Sequence, residues 1–214
     1  MKGKFISFEG PDGAGKTSVI SQVQRDLEKQ LGEDRVMYTR EPGGDHISEQ
    51  IRQVLFDDHN GDMDGRTEAL LFAAARRQHL ISTILPALEA GKVILCDRYI
   101  DSSIAYQGAG RHLGEDEVMQ INQFAIDGHF PDLTIYLDVD SEIGLRRIAE
   151  HRSNQVNRLD REQLSFHQTV RQAYLRLLAQ DPERIKEINA NQPLNQVIMD
   201  VEATIHDRFA DLLG

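Results

Sequence analysis

Only one cysteine, Cys96, occurs in the chain, so an internal disulfide framework is excluded and nothing in the cysteine usage points outside a reducing compartment. No apolar run approaches the ~20 residues needed to span a bilayer. The first residues, Met1-Lys2-Gly3-Lys4, run straight into Phe5-Ile6-Ser7-Phe8, too short for a secretory hydrophobic region. A cytoplasmic location without a membrane partner is the expectation. Positive charge is scarce as well. The formal net charge is −11, which argues against a general nucleic-acid binder, because such proteins need a basic face. Lysine is rarest among the basic residues, 6 against 18 arginines. Arginine grips phosphate with a rigid bidentate fork, where lysine is a point charge. No internal repeat, low-complexity tract or Pro/Gly linker interrupts the chain, so residues 1–214 read as a single domain.

Apolar runs alternate with helical stretches. Strands are expected at Lys4–Phe8, Val36–Thr39, Lys92–Cys96, Leu133–Val139 and Ile185–Ile188. Helices are expected at Lys16–Leu31, Glu68–Leu88, around Glu115–Ile126, from about Glu142, and from Leu194. Such alternation means βαβ units: an α/β fold, with a five-stranded parallel sheet and helices on both faces.

One segment carries the clearest chemistry. Gly10-Pro11-Asp12-Gly13-Ala14-Gly15-Lys16-Thr17 fits G-x-x-x-x-G-K-[ST] in full, directly after a strand and at the mouth of a helix. Its glycines let successive N–H groups curl around phosphate oxygens, and the helix N-terminus adds positive potential. Lys16 would reach the β- and γ-phosphates of ATP as a catalytic cation. The Thr17 hydroxyl would ligate Mg²⁺, and Ser18 joins the nucleotide-binding group. A second metal-managing carboxylate is expected at a neighbouring strand end, and Val93-Ile94-Leu95-Cys96-Asp97 supplies Asp97. A guanine-reading Asn-Lys-x-Asp motif is missing, which excludes the GTPase switches, while the acidic charge and small size argue against a nucleic-acid translocase. A calcium loop at Asp58-His59-Asn60-Gly61-Asp62 fails at Met63 and Ala69, where Gly and Glu would be required.

With Phe8–Thr17 come Thr39-Arg40-Glu41-Pro42-Gly43-Gly44, Leu71-Phe72-Ala73-Ala74-Ala75-Arg76, Asp97-Arg98-Tyr99 and Ala105-Tyr106-Gln107-Gly108. In order and spacing these resemble the thymidylate kinase family, from about Lys4 into the C-terminal helix. The resemblance implies transfer of the γ-phosphoryl group of ATP to dTMP. It implies that Phe72 stacks on thymine and Arg76 donates to a base carbonyl, with Ser103 and Gln107 as further base and sugar contacts. Asp12 would receive the deoxyribose 3′-hydroxyl. Arg40 and Arg98 would hold the dTMP phosphate, Arg98 also acting in catalysis. A homodimer is implied, packed through the helices containing Glu68–Leu88 and Glu115–Ile126.

Arg146, Arg147, Arg152, Arg158 and Arg161 crowd a lysine-free stretch, about residues 146–162, that reads as a lid over the phosphates. Some members of the family carry an arginine in the phosphate loop where this chain has Gly13; in the others the lid supplies it. Gly13 implies the second kind, with Arg152 and Arg161 as leading catalytic candidates, Arg158 next, and Arg147 against the adenine. Two alternatives stay open: another small nucleotide or deoxynucleoside kinase, with Glu9 or Asp12 as base, and a non-catalytic P-loop ATPase.

Overall fold

The structure, a computed structural model, describes residues 3–151 and 163–210. Its sheet is built from β1 (Lys4–Glu9), β2 (Val36–Arg40), β3 (Val93–Asp97), β4 (Leu133–Asp138) and β5 (Ile185–Asn189), in the spatial order β2-β3-β1-β4-β5. Every pairing is parallel. Parallel strands covered on both sides must be apolar on both sides, which is why Val93-Ile94-Leu95-Cys96 reads as an unbroken run. Successive residues then serve opposite cores. Phe5, Ile94 and Tyr136 pack on one face with Val170 and Tyr174 of α8 (Leu164–Gln180). Ile6, Leu95 and Ile135 pack on the other with Val19 and Ile20 of α1 (Lys16–Leu31) and Val201 of α9 (Leu194–Arg208).

The chain leaves β1 into α1 on one face. It leaves β3 into α5 (Ile100–Ser103), whose Ile100 belongs to the opposite core. A crevice opens between such divergent connections, outside the carboxyl ends of the strands. Four strands run one residue past their expected ends, to Glu9, Arg40, Asp97 and Asn189, and β4 stops one residue short at Asp138. The register sets both Phe8 and Arg40 opposite Asp97, so polar strand ends gather at one edge.

The expected helix Glu68–Leu88 is three segments: α3 (Gly65–His79), a π-helical stretch (Leu80–Ile84) and α4 (Leu85–Glu89). It starts early because the Asp64 carboxylate accepts from Arg66 N and Thr67 N. Its wide turn directly precedes the first turn of α4, where Pro86 lacks an N–H for an unbroken α-helical ladder. Three helices were not anticipated: α2 (His46–Phe56), capped by Asp45 through Ile47 N and Ser48 N; α5 with its π-helical continuation Ile104–Gly110; and α8. Then α6 (Glu115–Ile126) and α7 (Ser141–His151) follow as expected.

Candidate active site

The phosphate loop is shaped by its glycines. Gly10, Gly13 and Gly15 sit at φ 137°, 80° and 87°, backbone conformations that L side chains rarely adopt. Gly13 is constrained a second time: a Cβ there would enter the backbone of Gly144 in α7. The loop wraps Lys16, whose Nζ donates to Gly10 O and Pro11 O at 3.0 Å each. Burial pulls the Lys16 ammonium down to about 8, and the nearby Arg98 adds to the effect.

Around this loop lies a cleft of about 810 Å³. Asp12, Gly13, Ala14, Gly15, Lys16, Thr17 and Ser18 line it, as do Arg40, Phe72, Arg76, Asp97, Arg98, Ser103, Gln107 and Arg147. Gly10 and Pro11 stand behind the wall, holding Lys16. Arg152, Arg158 and Arg161 lie outside the described residues.

At the loop end, Thr17 Oγ1 donates to Asp97 Oδ2 at 3.3 Å across the β1–β3 crevice. These two hard oxygen donors suit a Mg²⁺ that takes its remaining ligands from phosphates and water. Among the described residues no group of three or more His, Cys, Asp or Glu could hold a metal alone. Arg147 Nη1 donates to Ala190 O at 3.0 Å, on a wall continued by Gln192, Pro193, Leu194 and Val197.

Arg98 occupies the middle of the cleft with φ 69°, an uncommon conformation for a non-glycine residue. Its Nη2 donates to Asp12 Oδ1 at 2.7 Å and its Nη1 to Ser102 Oγ at 3.0 Å. Tyr106 donates to the other Asp12 oxygen at 2.7 Å. Burial alone would raise the Asp12 carboxyl; the charges of Arg98 and Lys16 outweigh it and hold the group well below the usual carboxylate range. For Arg98, burial works against the cation, but Tyr106 and Asp12 outweigh it and push the group higher. Arg40 reaches Glu49 through two hydrogen bonds, 2.8 and 3.3 Å long.

The far end is built on Arg76, which is 2% exposed. Its Nε donates to Glu41 Oε2 at 2.7 Å, Nη1 to Ser103 Oγ at 2.9 Å and to Asn122 Oδ1, and Nη2 to Tyr99 O at 2.9 Å. Among the described residues, four of its five N–H groups have protein acceptors, which leaves one on Nη2. Glu41 is itself held by His79 Nδ1 at 3.0 Å, and His79 by Thr39. Phe72 meets Phe56 edge-on, with ring centroids 6.3 Å apart.

Glu9 is placed otherwise. It is fully buried and takes hydrogen bonds from Tyr99 N, Ser102 Oγ and Tyr174 at 2.7, 2.6 and 2.8 Å. Burial, and secondarily Asp101, push it up to about 7. It lies beneath the cleft rather than on its wall, so it has no access to serve as a base.

The sequence reading missed Arg52, Tyr38 and Phe56 on the wall, and Tyr106, Glu41 and Asn122 as partners of the named arginines. Arg52 and Phe56 belong to α2, whose capping signal Asp45 was legible. For Asn122 there was no signal, because only tertiary packing of α6 on α3 brings it to Arg76.

Known proteins resemble this chain throughout. A family model described as thymidylate kinase matches residues 8–201. The thymidylate kinase of Limosilactobacillus reuteri (strain DSM 20016) is 76% identical over 212 residues, 99% of this chain and 100% of that protein. That of Limosilactobacillus fermentum is 61% identical, covering 99% of each. Among solved structures, the thymidylate kinase from Ehrlichia chaffeensis aligns with a TM-score of 0.80 at 31% identity, covering 96% of this chain and 100% of that one. The chain belongs to the thymidylate kinase family.

Proposed function

We infer that the chain transfers the γ-phosphoryl group of ATP to dTMP, giving dTDP and ADP for dTTP synthesis. One observation carries this reading: the phosphate loop, Arg98 and the buried polar side chains Arg76, Ser103 and Gln107 all line one cleft. ATP lies with its phosphates in the loop and its adenine toward Arg147 and the wall at Gln192–Val197. The dTMP phosphate lies between Arg98 and Arg40, because two anionic groups approach in line only where fixed cations stand between them. Asp12, kept ionised by Arg98, receives the 3′-hydroxyl. Thr17 and Asp97 would hold Mg²⁺, and the ion would supply positive charge beside the phosphates. A nucleoside acceptor would need a carboxylate base instead, and the burial of Glu9 and the engagement of Asp12 with Arg98 speak against it.

Phe72 and Arg76 then read the base. Phe72→Ala and Arg76→Ala should raise the dTMP KM at least about 10-fold, the scale of one lost stacking or charged hydrogen-bond contact, with ATP affinity little changed. Steady-state kinetics with each substrate varied in turn decide this. Loss of ATP affinity with dTMP affinity kept would overturn the base-site assignment.

The protein works as a homodimer in this reading. Leu70 on α3 and Phe124 on α6 are 56% and 90% exposed, on helices that pack together. Covering such side chains is what an apolar interface does. Light scattering at micromolar concentration should give about twice the 24.2 kDa chain mass, and Phe124→Asp should lower it. A monomer in the unmodified protein refutes the dimer. The site of action is the cytoplasm.

A further inference from the structure

We propose that Glu68 is a positioning residue for base specificity: it fixes which end of the Gln107 amide faces the cleft and so makes the site select thymine over cytosine. This rests on reading Arg76 and Gln107 as the pair that meets the base.

Glu68 stands in the first turn of α3, fully buried. Its Oε1 accepts from Gln107 Nε2 at 2.9 Å and from Arg111 Nε at 3.4 Å. An amide side chain is otherwise free to present either its oxygen or its NH₂, and the two are nearly isosteric. A carboxylate removes that freedom, because it only accepts. The NH₂ of Gln107 must face Glu68, and the carbonyl oxygen is left for the other side. Gln107 lines the cleft, and its Oε1 has no hydrogen-bond partner among the described residues.

Arg76 is constrained in the opposite sense. A guanidinium only donates, and its remaining N–H is on Nη2. Ser103 ties the two walls: it accepts from Arg76 and sits four residues before Gln107 on the same helical run. The cleft therefore presents one fixed donor and one fixed acceptor. A pyrimidine with a carbonyl beside a ring N–H, as in thymine, satisfies both. Cytosine offers an amino group beside a bare ring nitrogen and would place donor against donor and acceptor against acceptor. A site built to hydrogen-bond one pattern rejects the reversed pattern strongly, since its buried groups are left unpaired.

The test is the ratio of kcat/KM for dTMP to that for dCMP, measured in the full chain for the unmodified protein, Glu68→Gln and Gln107→Leu. A glutamine at 68 can accept or donate, so Gln107 would take both orientations. Glu68→Gln is expected to cut the ratio at least about 10-fold, because the second orientation takes the acceptor away from the thymine ring N–H and offers the cytosine ring nitrogen a donor. A merely structural role would lower both kcat/KM values together and leave the ratio unchanged, which overturns the proposal. If Gln107→Leu also keeps the ratio, the base-site reading itself is wrong; if only Glu68→Gln keeps it, this proposal alone fails. A second measurement needs no variant fold. In the substrate-free, ¹⁵N-labelled protein, the Gln107 side-chain NH₂ protons should exchange slowly with water, being buried against Glu68. Exchange as fast as that of a surface glutamine would mean that the amide faces the cleft the other way, and the proposal falls.

Discussion

Replacing Lys16 by alanine is expected to slow phosphoryl transfer by about 10²–10³, or ~3–4 kcal/mol, with the fold intact. The ammonium is held in place before any nucleotide arrives, by Gly10 O and Pro11 O at 3.0 Å. Its position therefore costs no reorganisation when charge develops on the transferring group. Both carbonyls belong to the phosphate loop rather than to a strand, so removing the ammonium leaves the sheet and its two cores unchanged. Circular dichroism and the melting temperature should stay close to those of the unmodified protein. A second readout follows from electrostatics. In the free protein burial pulls Lys16 down to about 8, below its ordinary value, so near pH 8 a good part of it is neutral. The phosphates of ATP restore the cation, and nucleotide binding should take up protons near pH 8. Calorimetry in buffers of different ionisation enthalpy measures that uptake, and it should vanish in Lys16→Ala. Near-normal turnover in the variant would sink the kinase mechanism.

How far the site could be read ahead depended on whether its groups are local in the chain. The phosphate loop is one contiguous segment between a strand and a helix, and its conformation follows from its own glycines. The strand ends were legible to within one residue for the same reason, since an apolar run must stop where a polar residue meets the edge. Arg40 and Asp97 both lie at such stops. The end built on Arg76 is different. Arg76 owes its position to Glu41 beyond β2, Tyr99 and Ser103 after β3, and Asn122 in α6. No periodicity links those positions; only the closed fold does. The π-helical stretches escaped as well, because a wide turn keeps residues four apart on one face and looks helical in pattern. Glu9 misled in the opposite direction. Next to the phosphate loop it resembles a chemical group, yet Ser102, Tyr99 and Tyr174 enclose it.

Replacing Arg152, Arg158 and Arg161 together by alanine should lower the single-turnover rate of phosphoryl transfer by about 10³–10⁵, the worth of a supplied arginine. The fixed cations of the described cleft fall short of what the transition state asks. Arg98 is engaged with Asp12 and Ser102, Arg40 with Glu49, and Arg147 with Ala190 O. Lys16 is the one cation of the phosphate loop itself. Negative charge spreads over three equatorial oxygens as the phosphoryl group moves, and a further guanidinium is needed to bridge them. It cannot come from position 13. There the backbone is at φ 80°, and any Cβ would enter α7 at Gly144. The three arginines of 152–162 are the expected source, and Arg152→Ala or Arg161→Ala alone should cost at least about 100-fold in kcat. The dTMP affinity should change little, the pattern of an interaction made mainly in the transition state. Lysine at the same site should rescue only in part, since a point charge does not bridge two oxygens as the fork does. Adding Gly13→Arg to the triple variant should restore nothing and should lower stability, because α7 must move to admit it. A triple variant that transfers phosphate near the original rate would leave this segment a cover only; restored activity with Gly13→Arg would show that the loop can host the arginine after all.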